Sequence, residues 1–181
     1  MTVIKTNLPD NSILNNNNKK YDYVDSFQGT LIDSENKFKP IDIGKAFFSS
    51  GPKWVGILFT LRNRIVSVFG LKTSGKDGDI KQQLENFKCE PGEQLGLFKV
   101  FDKTDNEVVL GEDDKHLNFR ISLFMDKLKS DLTKKELIIT TTVEFNNWVG
   151  RLYFLPIKPF HKLIVPTMLK GIIKELEKQK N

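Results

Sequence analysis

Cysteine and histidine are scarce in this sequence of 181 residues, which contains one cysteine, Cys89, and two histidines, His116 and His161. A single cysteine excludes a disulfide framework within the chain and a structural zinc site built from several cysteines. Cys89 has no histidine near it in the sequence, so we interpret it as a buried or incidental thiol and not as a nucleophile. Two histidines offer little to a metallohydrolase, and we predict neither a metal nor a cofactor.

Long apolar runs are also missing, and we expect no secretory leader. No run of about 18 uninterrupted apolar residues occurs, because the richest stretch, residues 54–71, is broken by Arg62, Asn63 and Arg64. The first nine residues lack the apolar core of a secretory signal. We therefore expect a cytoplasmic protein without a transmembrane helix, and the unpaired thiol agrees with that compartment.

Basic residues are not concentrated on any one element. The chain has 28 basic and 23 acidic residues, a net charge of +5, and its basic residues are scattered, so we predict no nucleic-acid binding. Phosphate-binding glycine loops and the nucleophile elbow are absent. Lysines flank an apolar stripe near the C-terminus, as in membrane-surface helices. A helix that covers a sheet has the same pattern, so the sequence does not favour membrane contact.

Apolar residues are plentiful, at 39% of the chain with 14 phenylalanines, which is enough for a hydrophobic core. The first 20 residues are different, because they carry an asparagine run at 15–18 followed by two lysines. A polar stretch with little to bury does not fold by itself. We predict a flexible N-terminal arm over residues 1–20 and one domain over residues 21–181.

After residue 20, the spacing of apolar residues is typical of strands in some segments and of helices in others. A first strand is predicted over residues 21–29, followed by a short helix capped by Asp42 and a second helix from Pro52 to Gly70. A further short helix is indicated over residues 79–87. From Leu95 to Phe145 apolar residues recur at every second position, which predicts antiparallel strands with one apolar face.

The C-terminal segment returns to helical spacing, with an apolar stripe that includes Phe160, Leu163 and Leu176. We expect Pro156 and Pro159 to bend or break the chain ahead of it. A sheet with one apolar face needs a cover, and this helix has the matching stripe. The predicted fold is α+β of the helix-grip type: a curved antiparallel sheet wrapped around a long C-terminal helix, with two short helices after the first strand.

Three blocks of sequence carry a resemblance to a known family. They read KWV, LRN and FGLKT within residues 53–73, LGEDDKHLNFR at 110–120, and GRLYF, KPFH and IVP within 150–166. The chain resembles a bacterial family of uncharacterised proteins, a domain of unknown function, over roughly residues 21–178. More widely, it is similar to the START and Bet v 1-like (polyketide-cyclase-like) helix-grip superfamily. The resemblance implies a ligand-binding fold without an established activity, and fused relatives suggest a separately encoded reductase as a partner.

A space between sheet and helix is the natural place for an apolar ligand. Thr141 is a hint to such a site, because a buried hydroxyl among aliphatic residues requires a partner. We expect Tyr153 and His161, with Arg151, to orient the polar end of the ligand; a structural ion pair of Arg151 with the 112–114 loop is the favoured alternative. The side chains expected to form the walls are Trp54, Phe119, Ile121, Thr141, Val143 and Met168.

The acidic segment Glu112, Asp113 and Asp114 beside His116 has two interpretations. Carboxylates next to a histidine suit acid–base chemistry or a cation, with His116 as the titrating group and Asp114 or Asp113 as its orienting partner. Acidic residues ahead of a strand more often form a solvated turn, and we favour that interpretation. His161 is the other acid–base candidate, against a structural role at a helix kink.

Three hypotheses for function follow. The leading one is a binding protein for a small apolar or amphipathic molecule. The alternative is a cofactor-independent enzyme of the cyclase, isomerase or hydrolase type that uses His116 or His161 as acid or base. The third is an interaction partner of a reductase. The identity of the ligand and the oligomeric state are not determined by the sequence.

Overall fold

A computed structural model describes residues 2–15, 19–51 and 80–179 of the chain. The predicted helix over residues 52–70, with its Trp54, lies outside the described residues. In chain order the elements are β1 (Val3–Thr6), β2 (Tyr23–Ile32), α1 (Pro40–Ser49), α2 (Ile80–Asn86), β3 (Gln94–Leu95), β4 (Phe98–Lys103), β5 (Glu107–Asp113), β6 (Leu117–Lys127), β7 (Lys134–Phe145) and α3 (Trp148–Lys178).

Within these residues seven strands form one antiparallel sheet in the order β1-β2-β7-β6-β5-β4-β3. Strands β3 to β7 form a meander, and β2 pairs with β7, so the start of the chain joins the end of the meander. The predicted α+β class, antiparallel sheet and long C-terminal helix are confirmed.

The two faces of the sheet differ in what covers them. The face toward α3, called the helix face, carries Phe27, Leu123 and Ile139, which are opposed in register and buried. Gly29 lies on the same face, and a side chain there would overlap the end of Ile173 of α3. A sheet face and a helix face that bury each other's apolar side chains form the main core of the protein.

Helix α3 is continuous through Pro156, Pro159 and Pro166, so the predicted break is wrong. A proline removes the hydrogen bond to the carbonyl four residues earlier. For Pro156 and Pro159 those carbonyls belong to Leu152 and Leu155, whose side chains are 48% and 64% exposed. The freed carbonyls therefore lie on the side of the helix that faces solvent, where water can bind them.

The buried face of α3 also differs from the predicted stripe. Phe160 and Leu163 are 46% and 64% exposed, whereas Val165, Leu169 and Ile172 are buried against the sheet. The prediction is wrong for Phe160 and Leu163, because the periodicity of a helix that is apolar on two sides does not show which side packs.

The N-terminal residues are part of the fold, which corrects the predicted flexible arm. Strand β1 pairs with β2 from Val3↔Gly29 to Thr6↔Ser26. Ser12 and Leu14 are buried, and Ser12 contacts Glu107, which lies on the outer face of the sheet, away from α3. A polar composition suggests disorder only while the polar groups lack partners in the rest of the chain.

Helix α1 begins at Pro40, two residues before the predicted cap. Proline suits the first helical position because its missing N–H would have no partner there. The Asp42 carboxylate accepts a 2.8 Å hydrogen bond from the backbone N–H of Lys39, so it caps the helix from inside its first turn. Among the described residues, no helix has the length and apolar character needed to cross a membrane.

Candidate functional site between β2, β7 and α3

Asp25 lies on the helix face of β2 and is only 4% exposed. Its Oδ2 accepts a 2.7 Å hydrogen bond from the Tyr23 hydroxyl and lies 3.2 Å from Nδ1 of His161. Tyr23 reaches it along β2, because residues two apart in a strand point to the same face. His161 reaches it from α3. A carboxylate, a phenol and an imidazole therefore meet between the sheet and the helix.

The Asp25 carboxylate fixes the orientation of the His161 ring. A carboxylate oxygen accepts and does not donate, so the hydrogen bond places the proton of His161 on Nδ1 and leaves Nε2 for another partner. The Tyr23 ring stands nearly perpendicular to the imidazole, with centroids 6.2 Å apart. His161 therefore extends from α3 toward β2, and its ring is held there by a side chain.

Tyr23 serves this cluster as a hydrogen-bond donor. Burial, together with the hydrogen bond to Asp25 and its negative charge, raises the pKa of Tyr23 above the usual value for tyrosine. The hydroxyl therefore keeps its proton at physiological pH. Its ring packs edge-on against Phe154 of α3, with centroids 4.8 Å apart, which holds the hydroxyl toward Asp25.

Two buried oxygens of the site have no hydrogen-bond partner in the part of the chain that the structure describes: Oδ1 of Asp25 and Oγ1 of Thr141. The two residues are directly opposed in the register of β2 and β7, so their Cβ atoms are about 5 Å apart on the helix face. A buried polar atom without a partner costs about 1–3 kcal/mol. Two such atoms on directly opposed residues are typical of a place that a further polar group occupies.

Apolar side chains surround this polar cluster. Ile121 opposes Thr141 in β6, and Phe119 and Val143 oppose each other one step further along the sheet. Met168 belongs to the core on the α3 side. Of the predicted wall residues, Phe119, Ile121 and Val143 therefore share the helix face of the sheet with Thr141, and Met168 lies in the main core.

Arg151 lies outside the polar cluster, whereas Tyr153 packs in an apolar cluster beside it. Arg151 is exposed, and its Nη2 lies 3.4 Å from Oδ1 of Asp22, so its predicted ion pair with the 112–114 loop is wrong. Its guanidinium also lies 5.8 Å from the ring centroid of Phe145. Tyr153 is buried in a second apolar cluster with Phe154 and Val143, toward the N-terminal end of α3.

His116 has a structural position. Its Nδ1 lies 3.0 Å from Oδ1 of Asn147, which caps α3 through the N–H of Gly150. Asp114 accepts from the backbone N–H of His116 and so forms the turn between β5 and β6. His161 lies 14 residues after Asn147, about 20 Å along the helix at 1.5 Å per residue, so the two histidines do not share a site.

No metal centre is found in the described ranges. Among them, no group of three histidine, cysteine, aspartate or glutamate side chains could hold an ion. Asp113 pairs with Arg120 at 2.8 Å, and so one of the carboxylates considered for a cation is engaged by an arginine.

Asp25 and Tyr23 were not identified from the sequence. The signal was present, because Asp25 occupies an inward position between Tyr23 and Phe27 in an alternating strand. A charged residue at a position that alternation assigns to the core is a candidate for a site. Its partner His161 is 136 residues away, and only the tertiary structure brings the two together.

The fold and the site define an α+β protein in which a long helix covers an antiparallel sheet and encloses a polar cluster with unpaired atoms. A family model described as "Protein of unknown function (DUF2867)" matches residues 18–168. The match covers most of the chain, so the protein belongs to this family, and the expected membership in a family of uncharacterised domains is confirmed. No curated protein and no solved structure matches the chain.

Proposed function

We propose that the protein binds a small amphipathic molecule between the helix face of the sheet and α3. The observation that carries the proposal is the pair of buried, unpartnered oxygens on Asp25 and Thr141. Evolved interiors leave few polar atoms unpaired, and a bound molecule supplies the missing partners. The polar end of the ligand therefore lies at these two residues.

We infer a helix-grip arrangement for the binding space, in keeping with the resemblance to the START and Bet v 1-like superfamily. The packing of α3 against β2 and β7 supports it, because these elements carry both the polar cluster and apolar side chains. Ile121, Val143 and Met168 would contact the apolar part of the ligand, and His161 would hold Asp25 in place. Arg151 has no part in this site, since it is exposed and pairs with Asp22.

The test is native mass spectrometry of the purified protein after incubation with a lipid extract. We expect a bound species with the wild type and a weaker one with Thr141→Val, which removes one anchoring hydroxyl but keeps the volume. Thr140→Val is the matched control, because Thr140 is the next residue of β7 and its hydroxyl is already paired with Ser26 at 2.8 Å on the outer face. Absence of any bound species, or equal retention by Thr141→Val, contradicts the proposal.

A second candidate function rests on the hydrogen bond between His161 and Asp25. A histidine whose Nδ1 is held by a carboxylate presents Nε2 as a general base, the arrangement used by many hydrolases and isomerases. An activity screen with His161→Ala and, as a control, His116→Ala distinguishes catalysis from binding. We expect a catalysed reaction to be lost only in His161→Ala, and unchanged turnover in that variant excludes this function.

The third hypothesis, that the protein interacts with a separately encoded reductase, stays a prediction.

A further inference from the structure

We infer that the polar end of the ligand is a neutral hydroxyl, so that the protein selects an alcohol over a fatty acid or an amine of the same chain length. This inference rests on the proposed function and specifies its ligand class. It follows from counting the donors and acceptors that the site has left over.

Two of the hydrogen-bond donors of the site already have an acceptor. The Tyr23 hydroxyl and Nδ1 of His161 are both directed to Oδ2 of Asp25. What remains at the contact between β2 and β7 is one carboxylate oxygen, Oδ1 of Asp25, and the hydroxyl of Thr141. The first atom only accepts, while the second donates one proton and also accepts.

A hydroxyl matches this pair of atoms. Its proton is donated to Oδ1 of Asp25, and its oxygen accepts the proton of Thr141. Because both protein atoms are nearly inaccessible to solvent, at 4% and 2% exposure of their residues, a ligand that pairs both removes two desolvation penalties at once.

Carboxylate and ammonium groups fit less well. A carboxylate has no proton for Oδ1 and brings a second negative charge beside Asp25 in a poorly solvated place. An ammonium group would pair with the charge of Asp25, but burying it costs the hydration of the ion, and its three protons exceed the two acceptors at Asp25 and Thr141. A neutral hydroxyl is therefore the group that pairs both of these atoms without burying a further charge.

The experiment measures binding of decan-1-ol, decanoate and decylammonium to the full-length protein by isothermal titration calorimetry at pH 7. The three ligands share an apolar chain and differ in the polar group. We expect decan-1-ol to bind at least about tenfold more tightly than either charged ligand, the ratio that one lost buried hydrogen bond of about 1.4 kcal/mol gives.

Asp25→Asn is the diagnostic variant, because the new amide offers N–H donors where the wild type offers only an acceptor. We expect it to raise the relative affinity for decanoate by about tenfold or more. Thr140→Val serves as the control and keeps the wild-type preference. If Asp25→Asn does not fold, Thr141→Val replaces it. This variant removes the proton that either ligand can accept, so we expect weaker binding of both decan-1-ol and decanoate. The preference for the alcohol should persist, because Oδ1 of Asp25 accepts a proton only from the alcohol, and its loss contradicts the inference.

The outcomes separate this inference from the proposed function. Binding of decanoate or decylammonium as tightly as the alcohol overturns the hydroxyl preference and leaves the binding function standing. Binding of none of the three, together with no bound species from a lipid extract, overturns both.

Discussion

The hydroxyl of Ser12 donates a 2.6 Å hydrogen bond to Oε1 of Glu107, a residue 95 positions later that is only 1% exposed. Ser122 donates to the same oxygen, and the backbone N–H of Ile13 donates to Oε2 at 2.7 Å. A buried carboxylate is tolerated because three donors surround it. This one carboxylate attaches the N-terminal segment to the outer face of the sheet.

Glu107→Gln is expected to loosen the N-terminal segment. The amide nitrogen replaces an acceptor and faces a donor, so we expect a loss of about 1–3 kcal/mol in the free energy of unfolding. Hydrogen exchange should increase over residues 3–15 more than in α3. Glu144→Gln is the control, since Glu144 pairs with Lys19 on the surface and contributes at most about 1 kcal/mol. Equal protection of residues 3–15 in both variants contradicts this role of Glu107.

Thr141→Val and Thr140→Val are expected to change the free energy of unfolding in opposite directions. Both threonines are buried neighbours in β7, but the Thr141 hydroxyl lacks a partner and the Thr140 hydroxyl bonds to Ser26. Replacing an unpaired hydroxyl by a methyl group stabilises the ligand-free protein. Replacing a paired hydroxyl lowers the free energy of unfolding by about 1 kcal/mol, because it also leaves the Ser26 hydroxyl without its partner. Denaturant unfolding measures both, and a loss of stability in Thr141→Val would show that its hydroxyl is already paired.

Asp33 should make the protein more stable above pH 4 than below it. Burial acts to raise the pKa of Asp33, but Lys135 and the backbone N–H groups of Lys37 and Phe38 more than offset this and lower it below 3.8. A carboxylate whose pKa is lower in the folded than in the unfolded state stabilises the fold at neutral pH. That contribution disappears as the pH falls through the folded-state pKa.

Asp33→Asn tests this dependence. Lys135 is buried and pairs with Asp33 at 2.7 Å, so the variant leaves a buried ammonium group without its charge partner, at a cost of about 3 kcal/mol at pH 7. We expect the difference in unfolding free energy between wild type and variant to shrink as the pH falls from about 5 to about 2, a series that runs from about one unit above to about two units below the usual aspartate pKa. A difference that does not vary with pH contradicts the assignment.

Gly150→Ala is expected to be strongly destabilising. A Cβ at Gly150 would overlap the backbone carbonyl of His116, where the β5–β6 turn meets the first turn of α3. The overlapping atoms belong to the backbone and cannot move aside as a flexible side chain does. We therefore expect the free energy of unfolding to fall by more than about 2 kcal/mol. Gly51→Ala is the control, because none of the residues that the structure describes lies within 4 Å of a Cβ there. Similar melting temperatures for the two variants would contradict this close contact.

Cys89 is expected to be unreactive in the folded protein. Burial raises the pKa of its thiol to about 12, and the residue is fully buried. The thiolate is the reactive form, so a disulfide reagent at pH 8 should label the native protein only at the rate at which it unfolds. Labelling in urea provides the positive control. Rapid labelling without denaturant contradicts the buried position.

Local patterns in the sequence predicted much of the fold. The two-residue period of β6 and β7 identified the strands and their apolar face, because alternation directly reflects which side of a sheet is buried. The three prolines of α3 led to a wrong prediction of a break in the helix. Proline is a known helix breaker, and the sequence does not show that the carbonyls it leaves without a hydrogen bond face solvent. The prediction of a flexible N-terminal arm was wrong for a related reason. Glu107, which binds the N-terminal segment, is distant in the sequence.

The sequence has a single cysteine, and this by itself determined that no disulfide framework forms within the chain. The alternation of apolar and polar residues along the strands determined which residues face α3. His161 and Thr141 were recognised from the sequence as candidates, because a polar side chain amid apolar periodicity is visible locally. The tertiary structure alone decided that Asp25 joins them, that Arg151 pairs with Asp22 instead, and that His116 contacts Asn147, the residue that caps α3. Strand pairing and helix packing bring together side chains more than a hundred residues apart, and no local pattern encodes which of them will meet.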